Sequence, residues 1–346
     1  MKKYSRTLLS VFVLSLFPIG IILAVYFYNL SKISYNFQRN IDYNVLEIKA
    51  FDLGFNSYYI AGHKGNKVYL GNYTIQNILE IDTSLTDAIS HQIDYAGSAK
   101  GLLHRVQVDS NHFYLSYGPD KSLYHGLTGT WKAKAVSIKH PYFYNVTALN
   151  ESAFIYEYVS SRTQENSLRK MSKFQSEIEN DTIFEKQVDG LFCTAGTSVF
   201  SRKNRLFVYV YFYRNEVLVI DSNLKLVKKF STIDPISRAN VNVSTIESTG
   251  AKVLASGATI VNVRCAIWKD YLLVQSKIIG KHEDELRFKN STVIDIYDLN
   301  NSSYLSTLYI PNQQEEPITQ LSVIGDHIYT LSGRYLSRYT IKWPDL

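Results

Sequence analysis

No P-loop, G-x-G-x-x-G turn, G-x-S-x-G elbow, H-E-x-x-H helix or C-x-x-C pair occurs in these 346 residues. The common phosphate, hydrolase, zinc-protease and redox sites are therefore absent in compact form. Ser167-Leu-Arg-Lys170 and Ser222-Asn-Leu-Lys225 fit S-x-x-K, but no companion motif accompanies either. Clustered positive charge is lacking too. The formal charge is +6, and removing Lys2, Lys3 and Arg6, which precede the first apolar run, leaves +3. The remaining basic residues are scattered among acids, unlike the basic face of a nucleic-acid binder. Cysteine is scarce: Cys193 and Cys265 are the only two. In an oxidising exported compartment they are a candidate disulfide. The alternative is two buried free thiols, because spacing cannot establish the required Cα separation of about 4.4–6.8 Å. No two of the eight histidines have metal-ligand spacing within one element, so no metal or other cofactor is assigned.

What is present is apolar and aromatic. Hydrophobic residues make up 45% and charged residues 20%, the balance of a chain that folds. The 27 Tyr and 17 Phe favour strands, whose half-buried pleated surface accommodates aromatic rings. Near the start, Leu8 to Tyr28 is a run of 21 residues without a charge. At about 1.5 Å per residue it is long enough to span a hydrocarbon core of roughly 30 Å. It ends in Tyr26, Phe27 and Tyr28 rather than in a small-residue cleavage site, which favours an uncleaved anchor over a cleaved signal. No cysteine follows it to carry a lipid. Lys2, Lys3 and Arg6 keep the N-terminus cytoplasmic by the positive-inside rule. The expected organisation is a basic tip and transmembrane signal-anchor over 1–30, a linker over 31–42, and a periplasmic body over 43–346, held single-pass at the inner membrane.

The body repeats itself. "NKVYLGNYTIQNILEIDTSL" at 66–85 returns as "NRLFVYVYFYRNEVLVIDSNL" at 204–224: an alternating strand, a polar turn, and a second strand closing on Ile-Asp-Ser/Thr-x-Leu. Period-2 alternation continues through six such units of about four strands, which predicts an all-β, six-bladed β-propeller of four-stranded antiparallel blades. The sixth unit is one strand short. Residues 44–51, "NVLEIKAF", belong to no strand of the first, so they are expected to cross over as the outer strand of the last blade and remove its exposed edge. Asp82, Asp221 and Asp298 fall where third strands end, and an Asp there accepts a backbone N–H two residues on. Residues 165–179 carry Leu168, Met171, Phe174 and Ile178 at helical spacing, so a helix competes with strands there. The charged "KHEDELRFKN" at 281–290 reads as a solvated hairpin tip.

The anchor, the repeated units and the phrases "YYIAGHKGNKVYLGN" and "YVYFYRNEVLVIDSNLKLVKKFSTID" resemble the TolB-like six-bladed propeller proteins of Bacteroidetes, many of them without an assigned activity. The resemblance covers roughly residues 41 to 346. It implies the fold and an envelope location, and it brings no catalytic residues.

In such a ring the first strand of each blade lines the central channel, which nominates His104, Arg105, Tyr142, Tyr144 and Arg264 as ligand-binding residues at its mouth. Arg105 and Arg264 would focus an anionic ligand there. The bland alternative is a solvated strand end or an ion pair with the next blade. Arg214 and Asn215 form a turn that explains Asn215 and leaves Arg214 unexplained. The longest connection, 231–257, exceeds the usual loop length and is a candidate docking element, with Asp234 and Arg238 as partner-binding candidates beside Arg214 and Asn215. Three functions follow in order of preference: a non-enzymatic interaction or assembly module for an envelope or membrane protein, a sensor or binder of an anionic or glycan ligand, and a metal-dependent hydrolase or lyase.

Overall fold

The computed structural model describes residues 16–23, 35–41, 45–96, 104–137, 139, 141–255, 257–341 and 343. Its strands form antiparallel groups of four. The first group is Tyr58–Lys64, Lys67–Asn72, Asn77–Asp82 and Ala88–Gln92. The second is Arg105–Asp109, His112–Tyr117, Ser122–Leu127 and Lys132–Ala135, with Asp94–Tyr95 parallel along its outer edge. A parallel contact of Gly62 and His63 with Val108 and Asp109 joins these two into one sheet. The third is Asn145–Asn150, Ala153–Val159, Asn166–Ser172 and Ile178–Asn180, and the fourth Gly196–Ser201, Leu206–Tyr211, Glu216–Asp221 and Leu226–Ser231. The fifth is Asn262–Trp268, Tyr271–Ser276, Ser291–Asp298 and Ser303–Pro311. Ile318–Ile324, His327–Ser332 and Tyr335–Ile341 make the last group, and Val45–Asp52 completes it by pairing with Tyr335–Ile341.

The packing follows from strands that are apolar on both faces. In Leu206–Tyr211, Phe207, Tyr209 and Tyr211 point one way and meet Ile155 and Leu168 of the third group. Val208 and Val210 point the other way and meet Leu272, Val274 and Tyr297 of the fifth. Each neighbouring pair of groups shares such a core, and the series is cyclic, because Val68, Leu70 and Ile81 of the first group pack against Tyr329, Leu331 and Leu336 of the last. Burying both faces of every sheet in this way is the arrangement of a β-propeller.

The repeated Ile-Asp-Ser/Thr-x-Leu phrase has a local cause. Asp82 accepts from Ser84 N, Asp221 from Asn223 N at 2.8 Å, and Asp298 from Asn300 N at 2.7 Å. Three residues after the first two aspartates, Leu85 and Leu224 adopt φ of 55° and 60°, in the left-handed region that non-glycine residues avoid. Both leucines are buried in the cores between sheets, so apolar burial offsets the backbone cost.

Several expectations are corrected. "HQIDY" at 91–95 reads as the fourth strand of the first unit, but that strand is Ala88–Gln92, and Asp94–Tyr95 pairs with the next group. "TIFEKQV" at 182–188 reads as the fourth strand of the third unit but forms no strand, and Ile178–Asn180 takes the outer place of that group. Asn166–Ser172 is a strand, not a helix. Leu168 packs toward the fourth group and Met171 toward the second, so a strand buried on both faces imitates helical spacing. Residues 281–290 do lie, mostly exposed, in the connection of the antiparallel pair Tyr271–Ser276 and Ser291–Asp298, but that connection holds a short helix, Glu285–Lys289, which Asp284 caps by accepting from Arg287 N at 2.6 Å. Beside it, Glu283 is buried.

Its partner is Arg39, in the stretch expected to be a free linker. Arg39 bridges Glu283 and Asp295 at 2.8 Å each and donates to Ser276 Oγ at 2.9 Å. Tyr35 N donates to Ile279 O, Lys281 N to Phe37 O, and Thr307 N to Asn40 O. Residues 35–41 are thus strapped across the fifth group. Residues 16–23 are helical, with Phe17 and Ile22 exposed, and the rest of the Leu8–Tyr28 run lies outside the described residues. Among the described residues no helix is long and apolar enough to cross a membrane.

Candidate functional site

The first strands of the first four groups wall a cavity of 670 Å³, contributing Ala61, Arg105, Gln107, Asn145, Thr147 and Ser198 among others. Strands that diverge from a common axis leave this channel between them. One end, where these strands begin, opens into a second cavity of 390 Å³ lined by Tyr59, Tyr73, Arg105, Tyr117, Phe143 and Tyr144.

Arg105 and an aromatic pair line this mouth. The Arg105 guanidinium lies over the Tyr59 ring at 5.0 Å, and the Tyr59 and Tyr73 rings are 4.7 Å apart. Tyr59 is fixed by its hydroxyl, which accepts from Val106 N at 2.7 Å. Arg264 sits within electrostatic reach of Tyr73 and donates to Gln275 Oε1 at 2.9 Å. Lys277 follows. Burial and then the Arg264 charge hold its ammonium below the usual lysine range, and burial likewise lowers Arg264. Among the described residues no carboxylate lies within ion-pair distance of Arg105, Arg264 or Lys277. The opposite end of the channel differs, for there Arg202 pairs with Asp109 and Lys203 with Asp270.

Deeper in the channel wall lies Glu157, 2% exposed. Its Oε1 accepts from Asn145 Nδ2 and Ser198 Oγ, each at 2.5 Å. Burial raises its carboxyl above the usual range, and these two donors oppose the shift without cancelling it. Tyr144 lines both cavities, which accounts for its half-exposed ring in so enclosed a place. Burial and then Glu157 raise its hydroxyl well above the ordinary value. Tyr142 is exposed at the rim, with Lys121 Nζ 3.9 Å above its ring.

Arg105 and Tyr144 thus line the mouth cavity, whereas Arg264 and Tyr142 are not among its lining residues. His104 also lines the mouth cavity, but with little exposed surface. It is 1% exposed, held between Tyr95 OH at 3.2 Å and Ser122 Oγ at 2.8 Å. Three of the four partner-binding candidates are also internal. Arg214 is 1% exposed, donates to Cys193 O and Glu185 O, pairs with Glu216 at 3.0 Å and stacks on Tyr211 at 3.5 Å. Asn215 donates to Asp234 O, and Asp234 accepts from Thr232 Oγ1 and Ile236 N. These contacts lock a turn and leave no side chain for a partner. Arg238 is exposed. The long connection is ordered: Val243–Thr245 pairs with Lys252–Leu254, and Ala239, Val241 and Val243 pack on Cys193 and Tyr213. The cysteines are both free. Cys193 is bonded to Asp189 O, while Cys265 faces Thr197 Oγ1 from the next strand group.

Tyr73, Lys277 and Glu157 went unnoticed in the sequence. The first two follow directly on the ends of second strands, Lys67–Asn72 and Tyr271–Ser276, which return to the mouth where first strands begin. The same repeat that nominated Arg105 would have nominated them.

A fold with apolar cores between radially stacked sheets and a polar channel on its axis is a β-propeller. In line with this, the chain is similar over 88% of its length to 99% of a DUF4221-family member from Bacteroides vulgatus, at 10% identity and a TM-score of 0.59. It is also similar over 86% of its length to 98% of a streptogramin B lyase structure, at 10% identity and a TM-score of 0.51. No family model and no curated protein matches its sequence. At such identities the likeness concerns the fold alone.

Proposed function

We propose that this chain is a non-enzymatic binding propeller of six blades whose channel mouth holds an anionic ligand, an acidic sugar being the best chemical match. The observation that carries the reading is Arg105 in the lining of the mouth cavity, with Arg264 in electrostatic reach of Tyr73 on the same lining and Lys277 in reach of Arg264, none of the three within ion-pair distance of a carboxylate among the described residues. Partly buried cations without counter-ions are electrostatically unfavourable unless a ligand supplies the anion. Tyr73, exposed and packed against the buried Tyr59, offers a flat apolar face to a sugar ring. The internal positions of Arg214, Asn215 and Asp234 favour this ligand-binding reading over an assembly module docked at that turn. We further infer a location outside the inner membrane. The uncharged Leu8–Tyr28 run behind Lys2, Lys3 and Arg6 supports it.

The test is an array of neutral, uronic and sulfated oligosaccharides probed with the full-length chain in detergent, followed by titration of the best acidic probe. Wild type is expected to retain acidic probes only, with affinity falling as salt rises. Arg105→Ala with Arg264→Ala should weaken binding at least about 30-fold, since each lost charged contact is worth roughly 1.5–3 kcal/mol. Equal binding by the double variant would overturn the reading. So would silence across the array while a protein co-purifies, which would return the function to docking on the Val243–Leu254 hairpin, where Ile246 and Val253 are exposed.

A further inference from the structure

We propose that His112, His125 and Glu151 form a site for a divalent transition-metal ion of the zinc class, which clasps the second strand group to the third. One donor atom from each residue lies within 4.8 Å of the other two. His112 opens strand His112–Tyr117, and His125 lies on the adjacent Ser122–Leu127, whose register sets Tyr114 opposite His125. The two histidines are therefore diagonal neighbours on one face of an antiparallel pair, a spacing that long side chains bridge. Their nitrogens face each other edge to edge, with His112 Nδ1 2.9 Å from His125 Nε2 and ring centroids 5.0 Å apart. The Tyr114 ring packs near-parallel to His125, with centroids 5.1 Å apart, and restrains its plane. Glu151 comes from a different sheet, in the turn between Asn145–Asn150 and Ala153–Val159, with Oε1 3.2 Å from His112 Nε2.

Two imidazoles and one carboxylate suit zinc and its transition-metal neighbours better than calcium or magnesium, which prefer all-oxygen sets. Bonds of about 2.0–2.1 Å in a tetrahedral site require donors roughly 3.3 Å apart. The His112–His125 separation needs to open by only a few tenths of an ångström. Glu151 has further to travel, because it now meets the opposite nitrogen of His112. Its side chain is 64% exposed at a turn and has the freedom to swing. With the ion absent, the two ring nitrogens share one hydrogen bond and His112 Nε2 meets Glu151. The ion takes the place of the proton between the rings, which moves to the free nitrogen of its own ring, and protons compete with the ion for the imidazoles at low pH, so binding weakens as pH falls. The site lies outside the residues lining the channel, so it stands independently of the ligand proposed for the mouth.

The experiment uses the untagged full-length chain in detergent, stripped with chelator and dialysed against Zn²⁺, with metal counted per chain. Wild type is expected to hold one zinc and to melt at a higher temperature with it, as a ligand that binds only the folded form requires. Glu151→Gln, at an exposed turn where the fold is not at stake, should weaken binding about 10-fold or more, and His125→Gln further. Co²⁺ in place of zinc should give the visible absorption of a four-coordinate ion in wild type and lose it in His125→Gln. No saturable zinc at one per chain, or affinity unchanged in both variants, overturns the proposal.

Discussion

Glu157 shows how one buried group ties stability to pH. Burial raises its folded-state carboxyl above the usual carboxylate range, while the unfolded chain ionises near about 4.3. Between those two values the folded protein holds a proton that the unfolded chain has lost, so stability falls as pH rises through the window. Below it the two states are equally protonated and the stability this group contributes is fully present. Glu157→Gln keeps an acceptor for Asn145 and Ser198 but cannot ionise. It should match wild type in urea melts near pH 4 and exceed it increasingly as pH rises, until the folded-state carboxyl itself ionises; parallel curves would show that no such burial shift operates. In the sequence Glu157 is the lone charge in "AFIYEYV", a signal as readable as Arg105. Arg214 taught the opposite lesson. A cation that a hairpin turn does not explain is bound to internal carbonyls and an aromatic face, and only three-dimensional proximity reveals those partners.

At the scale of elements, the strap over residues 35–41 was the feature least legible beforehand. It has no period of its own, and its hold depends on Glu283 and Asp295, more than 240 positions away. Strands were readable because alternation is local, whereas a single arginine seeking two carboxylates is not. Arg39→Ala would leave both acids buried without their cation, and breaking a buried pair from one side costs about 3–5 kcal/mol. The expected outcome is a lower urea midpoint together with faster hydrogen exchange over 35–41 and 276–283. Adding Glu283→Gln and Asp295→Asn to Arg39→Ala should recover much of that loss, since neutral amides do not carry the desolvation penalty. An unchanged midpoint in the single variant would mean that the strap adds nothing to the fifth group. The contact matters beyond stability, because it places the chain leading from the apolar N-terminal run firmly against the body.

For the whole molecule, the cyclic order of cores was legible because six repeated units leave their last member one strand short, and a missing strand must come from somewhere. Val45–Asp52 supplies it, in register with Tyr335–Ile341 from Asp52 opposite Tyr335 to Ile48 opposite Tyr339. What the sequence reading passed over at the mouth was Tyr73, which shares the cavity lining with Arg105 because second strands return to the end where first strands begin. Closure by a non-local strand also makes the ring vulnerable at one place. Removing residues 1–34 leaves the closing strand intact and should give a monomer that melts cooperatively. Removing residues 1–52 strips the outer edge of Tyr335–Ile341, exposing unpaired N–H and C=O groups along a strand whose Leu336, Tyr339 and Ile341 are buried in the native ring. That shorter chain is expected to elute as aggregate in size-exclusion chromatography, and adding a synthetic Val45–Asp52 peptide in excess during refolding should restore part of the monomer by strand addition. A stable monomer lacking residues 1–52 would show instead that the cores between groups hold the ring shut unaided, and that the borrowed strand serves only to anchor the N-terminal segment.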